Sequence, residues 1–94
     1  MLEEKISDEM LDELYEVLVA VDNKDDCRDL LADLCTYKEI AQMAQRIRAA
    51  KGLMQGKTYN RVIEETDISS ATLSRVSRAV RYGKGYKKQL KKMI

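Results

Sequence analysis

Arg75, Arg78 and Arg81 recur at three-residue intervals, with Ala71 and Ser74 nearby and the small residues Ser70 and Thr72 just upstream. A guanidinium is a flat, permanently charged fork that grips a phosphate or the O6/N7 edge of guanine through paired N–H donors. Serine hydroxyls reach phosphate oxygens, and the methyls of Ala and Thr pack on a thymine methyl. At about 100° per residue, Leu73, Val76 and Val80 fall within about a 60° arc, and Ala71, Ser74, Arg75, Arg78, Arg81 and Tyr82 occupy the opposite side. One face of this segment suits a protein core and the other suits nucleic acid. The small residues at its start let the backbone approach base edges, while helix-start amides and their partial positive charge attract phosphate.

A helix of this kind must be held by another. Tyr59, Val62, Ile63 and Thr66 form a helical stripe, Ile68-Ser69-Ser70 breaks it, and Leu73, Val76 and Val80 form the next. Thr58 and Ser69 are the expected N-caps, each offering a side-chain oxygen to first-turn amides. Residues 58–82 therefore read as a helix-turn-helix whose second helix suits a DNA major groove. The run Ile68-Ser69-Ser70-Ala71-Thr72-Leu73-Ser74-Arg75-Val76, preceded by Tyr59 and Val62, is close to a pattern shared by many bacterial repressors of this type. Asp67 stands at the turn where glycine is usual and tolerates the left-handed conformation. Ile63 stands where a small alanine is usual and is expected to open the helix pair slightly.

The charge pattern points the same way. The chain of 94 residues has a formal net charge of +1, but residues 1–40 hold 13 acids and 4 bases, and residues 41–94 hold 3 acids and 13 bases. Positive charge is thus gathered around the helix-turn-helix, as phosphate contact requires. Catalysis finds no support: there is no histidine, no Ser or Cys paired with a base, no metal-ligand spacing and no nucleotide loop. No enzyme and no metal site are expected. Cys27 and Cys35, the only cysteines, read as small buried thiols beside Leu30, Leu31 and Leu34. No apolar run is long enough to span a bilayer, and the start Met1-Leu2-Glu3-Glu4-Lys5 lacks the layout of a signal peptide, so a cytoplasmic protein is expected.

With no Pro, Trp or Phe and an abundance of Leu, Ala, Glu, Lys and Arg, the composition indicates an all-α fold. Ser7 caps a first helix over roughly 8–21, striped by Leu11, Leu14, Tyr15, Leu18 and Val21. Asp22-Asn23 stops it and caps a second helix lined by Cys27, Leu30, Leu31 and Leu34. Thr36-Tyr37-Lys38-Glu39 is a capping box that opens a long third helix. Its expected buried stripe is Ile40, Met43, Ala44, Ile47, Ala50 and Met54, with Gly56 as its left-handed terminal residue. Gly83-Lys84-Gly85 ends the fifth helix. We expect one domain over 1–94: a helical dimerisation body at 1–56, the helix-turn-helix at 58–82 and a basic C-terminal tail at 83–94. The bland reading of the tail's Lys87, Lys88, Lys91 and Lys92 is that they solubilise a frayed end, and it is expected to hold for the last few residues. A domain this short is near the lower limit for a self-sufficient core, so a partner subunit is expected.

Leu34-Cys35-Thr36-Tyr37-Lys38-Glu39-Ile40, then Gln45-Arg46-Ile47-Arg48, Gly56-Lys57 and Ala71-Thr72-Leu73-Ser74-Arg75, in that order and spacing, resemble the Trp repressor family. Within it they resemble the YerC/YecD-like branch. The resemblance covers roughly residues 30–82. It implies a Trp-repressor-like helical bundle forming an intertwined homodimer, with interlaced N-terminal helices and two recognition helices entering successive major grooves of a palindromic operator. It matches Asn60 or Arg61 to the family's base-contacting arginine and leaves Tyr86–Ile94 as a shortened terminal helix. It also implies an effector pocket of Thr36, Arg46 and Arg75, which in tryptophan-sensing members holds the indole. Val76 stands where those members have glycine.

The expected DNA-facing set is Thr58, Asn60, Arg61, Ser69, Ser70, Ala71, Thr72, Ser74, Arg75 and Arg78. The expected function is sequence-specific transcriptional regulation, by repression, on double-stranded DNA, with no cofactor and no membrane partner; Val76 speaks against tryptophan as a co-repressor, and whether any small-molecule effector acts is left open by the sequence. The alternative is a helical module that meets protein or RNA without operator specificity.

Overall fold

The computed structural model describes residues 5–94, and every regular element among them is helical: α1 (Asp8–Ala20), α2 (Lys24–Leu34), α3 (Tyr37–Met54), α4 (Tyr59–Thr66), α5 (Ser70–Tyr82) and α6 (Gly85–Leu90), with a 3-10 turn at Lys91–Met93. No helix among the described residues is long and apolar enough to cross a membrane. The chain divides into two compact units at Thr36. The first unit holds α1 and α2, and the second holds α3 to the C-terminus.

In the first unit the local signals act as expected. Ser7 Oγ accepts from the Met10 amide at 3.1 Å, and Asn23 Oδ1 accepts from the Asp26 amide at 2.8 Å. Each bond satisfies an amide that the first helical turn leaves without a partner. The apolar stripes, however, are only partly covered, with Leu30 and Leu31 of α2 half-buried. No residue of α1 or α2 is buried, and Tyr15, Leu18 and Val19 are 56%, 44% and 84% exposed. The expectation of buried thiols fails for Cys27, which is exposed, while Cys35 is half-buried. Stripe periodicity marks which positions are apolar, but a short helix in a single chain need not have a surface to close on.

In the second unit α3 packs on α4, α5 and α6. Ala49, Ala50, Val62, Ile68, Leu73, Val76 and Leu90 form its buried core, flanked by Leu53, Met54, Ile63, Val80 and Tyr86. The contact face of α3 is small, and a Cβ added at Gly52 would lie 3.1 Å from Val62 Cγ2, so the Val62 side chain packs where a larger residue at position 52 would stand. Here the expected stripe of α3 needs correction. Ala50 is buried and Met54 half-buried, but Ala44 is exposed, as are Met43 at 38% and Ile47 at 41%. Burial follows Ala49, Ala50 and Gly52 because the two-helix unit α4–α5 lies against this end of α3. Within the chain, α3 groups with α4 and α5 in this unit.

The junction between α3 and α4 is a Schellman turn: Lys57 N–H donates to Gly52 O and Gly56 N–H to Leu53 O, both at 3.0 Å. Gly56 takes the left-handed conformation there, with φ 86°. At the next turn Asp67 does the same, at φ 61° and ψ 21°, as expected for a short polar side chain in place of glycine.

The C-terminal segment carries a short helix, as the resemblance implies, but it packs more deeply than a solubilising tail would. Residues 85–90 are helical, and Leu90 is only 3% exposed, inserted into the same core as Leu73 and Val76. Tyr86 and Leu90 are four residues apart and share a helix face, a pair obscured in the sequence by the surrounding lysines.

Candidate nucleic-acid interface

The presenting helix is α5, whose inner face is sealed by Leu73 and Val76 at 0% and 2% exposure. Ser69 caps its start: its Oγ accepts from the Thr72 amide at 3.2 Å and donates to Thr72 Oγ1 at 2.9 Å. Thr72 is therefore half-buried and committed to the cap, whereas Ser70, Ala71, Ser74, Arg75 and Arg78 are exposed. The outward arginines Arg75, Arg78 and Arg81 make no ion pair among the described residues. An uncommitted guanidinium on a rigid helix can meet phosphate without first breaking another bond.

The turn preceding α5 is fixed by two polar side chains. Thr66 Oγ1 donates to Val62 O at 2.7 Å and accepts from the Ile68 amide at 3.2 Å, and Gln45 Nε2 on α3 donates to Thr66 O at 3.1 Å. Thr66, expected as part of an apolar stripe, is instead the hinge pin of the two-helix unit. The angle at which α5 leaves α4 is thereby tied to α3.

On α4, Thr58 Oγ1 accepts from the Arg61 amide at 3.2 Å, and Thr58, Asn60 and Arg61 are all exposed. Arg61 is not free, because its Nε donates to Glu65 Oε2 at 2.7 Å, and Lys57 Nζ meets Glu65 Oε1 at 2.7 Å. The hydrogen bond from Lys57, and then that from Arg61, hold the Glu65 carboxyl below its usual range. The bond to Glu65 in turn raises the Arg61 guanidinium above its usual value. Lys57 and Glu65 were not among the expected site residues. The Arg61–Glu65 spacing of four residues was a legible signal.

The structure brings Arg46 and Arg75 of the expected effector pocket to one cleft of about 220 Å³, lined also by Thr72, Val76, Ala79 and Tyr86. Thr36, the third residue of that expected pocket, is the last residue of the first unit. The cleft offers cations for a carboxylate beside an apolar wall. Its volume is below the range of about 300–1,000 Å³ usual for small-molecule sites, and the β-branched Val76 is part of the reason. Tyr86 joins the wall from α6, a place that the sequence reading did not give it.

These features accord with the chain's relatives. A family model described as Trp repressor protein matches residues 9–94. An uncharacterized protein, YerC of Bacillus subtilis (strain 168), is 38% identical over 80 residues, spanning 85% of this chain and 77% of its own. A crystal structure from Staphylococcus aureus, described as a candidate Trp repressor, superposes with a TM-score of 0.87 at 37% identity, covering 99% of this chain and 94% of its own. A TrpR-like protein from Eubacterium eligens ATCC 27750 gives 0.85 at 32% identity, covering 90% and 89%. The match takes in α1 through α6, including the helix pair with the free arginines, and on that basis the chain belongs to the Trp repressor family.

Proposed function

We propose that this chain is a sequence-specific DNA-binding repressor that works as a homodimer, α4 and α5 forming a helix-turn-helix with α5 in the major groove. The observation that carries the reading is the outer face of α5: small residues at its start, then exposed arginines without ion pairs, on a helix whose other face is sealed in the core. Family membership supports DNA as the partner. The homodimer is supported by the exposed apolar face of α1 and, within the second unit, by an apolar groove of about 410 Å³ flanked by Ile47, Tyr86 and Leu90.

The test is selection of bound fragments from random duplex DNA, with and without tryptophan. A palindromic consensus is the expected result, and equal affinity for all duplexes at physiological salt would overturn the reading. Structured RNA that displaces the selected duplex would favour an RNA-binding module instead. Arg75→Ala is expected to weaken binding to the selected duplex about 10-fold or more without unfolding the chain, as loss of a good base or phosphate contact does. An effector would enter the Arg46–Arg75 cleft, and Val76 disfavours an indole there. A shift in binding on adding tryptophan would restore tryptophan as the ligand.

A further inference from the structure

Beyond residue 40 the chain holds only three acids, Glu64, Glu65 and Asp67, and of these Glu65 alone is ion-paired among the described residues. Both of its oxygens are used. Oε1 takes Lys57 Nζ from the α3–α4 turn and Oε2 takes Arg61 Nε from one helical turn back, each at 2.7 Å. The side chains are partly open, Lys57 at 35%, Glu65 at 31% and Arg61 at 61% exposure, so phosphate can reach all three. Carboxylate and phosphate compete for the same donors. A lysine already neutralised by Glu65 attracts a phosphate less strongly, although its ammonium keeps further N–H donors. Arg61 is in a different position, because Glu65 occupies Nε and leaves the Nη edge without a partner among the described residues. That edge is the one able to pair with guanine O6 and N7.

We propose that Glu65 is a specificity-determining positioning residue of the DNA-binding face: it withholds Lys57 from phosphate and aims the Nη edge of Arg61 at a base. This inference rests on the DNA-binding reading above. A carboxylate placed among cations lowers sequence-independent attraction, and a guanidinium anchored at Nε keeps its outer edge in one orientation. Both effects raise the ratio of specific to non-specific binding. Exposed ion pairs are weak, so the effect is a several-fold bias and not an on-off gate.

The test uses the full chain with two probes, a random-sequence duplex and the duplex that the wild-type protein enriches from a random pool, titrated from about 50 to about 200 mM potassium chloride. Glu65→Gln is expected to bind the random duplex more tightly at low salt, with a log–log salt slope steeper by about 1–2 as Lys57 and Arg61 become available. The advantage over wild type then shrinks about 4- to 16-fold across that salt range. Preference for the enriched duplex should fall several-fold. In the triple variant Lys57→Gln/Arg61→Gln/Glu65→Gln the added steepness should vanish. Arg61→Lys, which keeps the charge and removes the fork, should lower the preference while leaving the slope unchanged. A wild-type slope and preference in Glu65→Gln would overturn the proposal, as would added steepness that persists in the triple variant, or an unchanged preference in Arg61→Lys. A wild-type protein that enriches no duplex would overturn the DNA-binding reading itself, and the proposal with it.

Discussion

Thr66 carries more of the site's geometry than its surroundings suggest. One hydroxyl donates to Val62 O and accepts from the Ile68 amide, so a single oxygen closes α4 and positions the first residue after the left-handed Asp67. Thr66→Val keeps the shape and removes both bonds, and should cost about 1–2 kcal/mol in urea denaturation and, through the angle of α5, weaken the proposed DNA binding. Glu65 predicts a pH effect. Its carboxyl is held below the ordinary value of 4.5, so its stabilising contribution is complete above that pH and is lost as pH falls through the lowered folded-state value. Thermal melts of wild type and Glu65→Gln should therefore differ by a small constant amount near neutrality and converge only below pH 4.5. The Arg61 half of this ion pair was legible in sequence as a four-residue spacing on one helix. Lys57 was not, since nothing local states that the turn after α3 folds back over the end of α4.

Among the helices, the starts were legible and the partners were not. Ser7, Asn23, Thr58 and Ser69 cap α1, α2, α4 and α5, because a cap is a hydrogen bond spanning three residues and depends on little else. The partner surfaces depend on the whole unit, and here expectation erred at both ends of it: α3 buries a small-residue seam in place of its larger apolar stripe, and the lysine-rich tail is a core helix. Leu90→Ala tests the second correction. It should cost about 2–4 kcal/mol in chemical denaturation, as for a fully buried leucine, whereas Ile94→Ala, at 48% exposure, should change stability by less than about 0.5 kcal/mol. Equal small effects at both positions would return the terminus to a frayed tail.

For the whole molecule, the exposed apolar surface of α1 is the main physical problem, and the proposed homodimer is its solution. Leu18→Glu and Val19→Glu replace residues that are 44% and 84% exposed, so in a monomer they should leave stability nearly unchanged. In the proposed dimer they should raise the dissociation constant about 10-fold or more in sedimentation equilibrium and make thermal stability depend more steeply on protein concentration. By itself the sequence determined the all-helical class, the helix starts, the left-handed turns at Gly56 and Asp67, the charge division and the family resemblance. Each of these is written in residue type or in spacings of a few positions. Only the tertiary structure decided which apolar residues are covered, that Gln45 reaches Thr66 across 21 positions, that Lys57 joins Arg61 on Glu65, and that Tyr86 closes the cleft of Arg46 and Arg75. Those contacts join residues whose proximity is set by how α3, α4, α5 and α6 pack, and packing is a property of several faces at once.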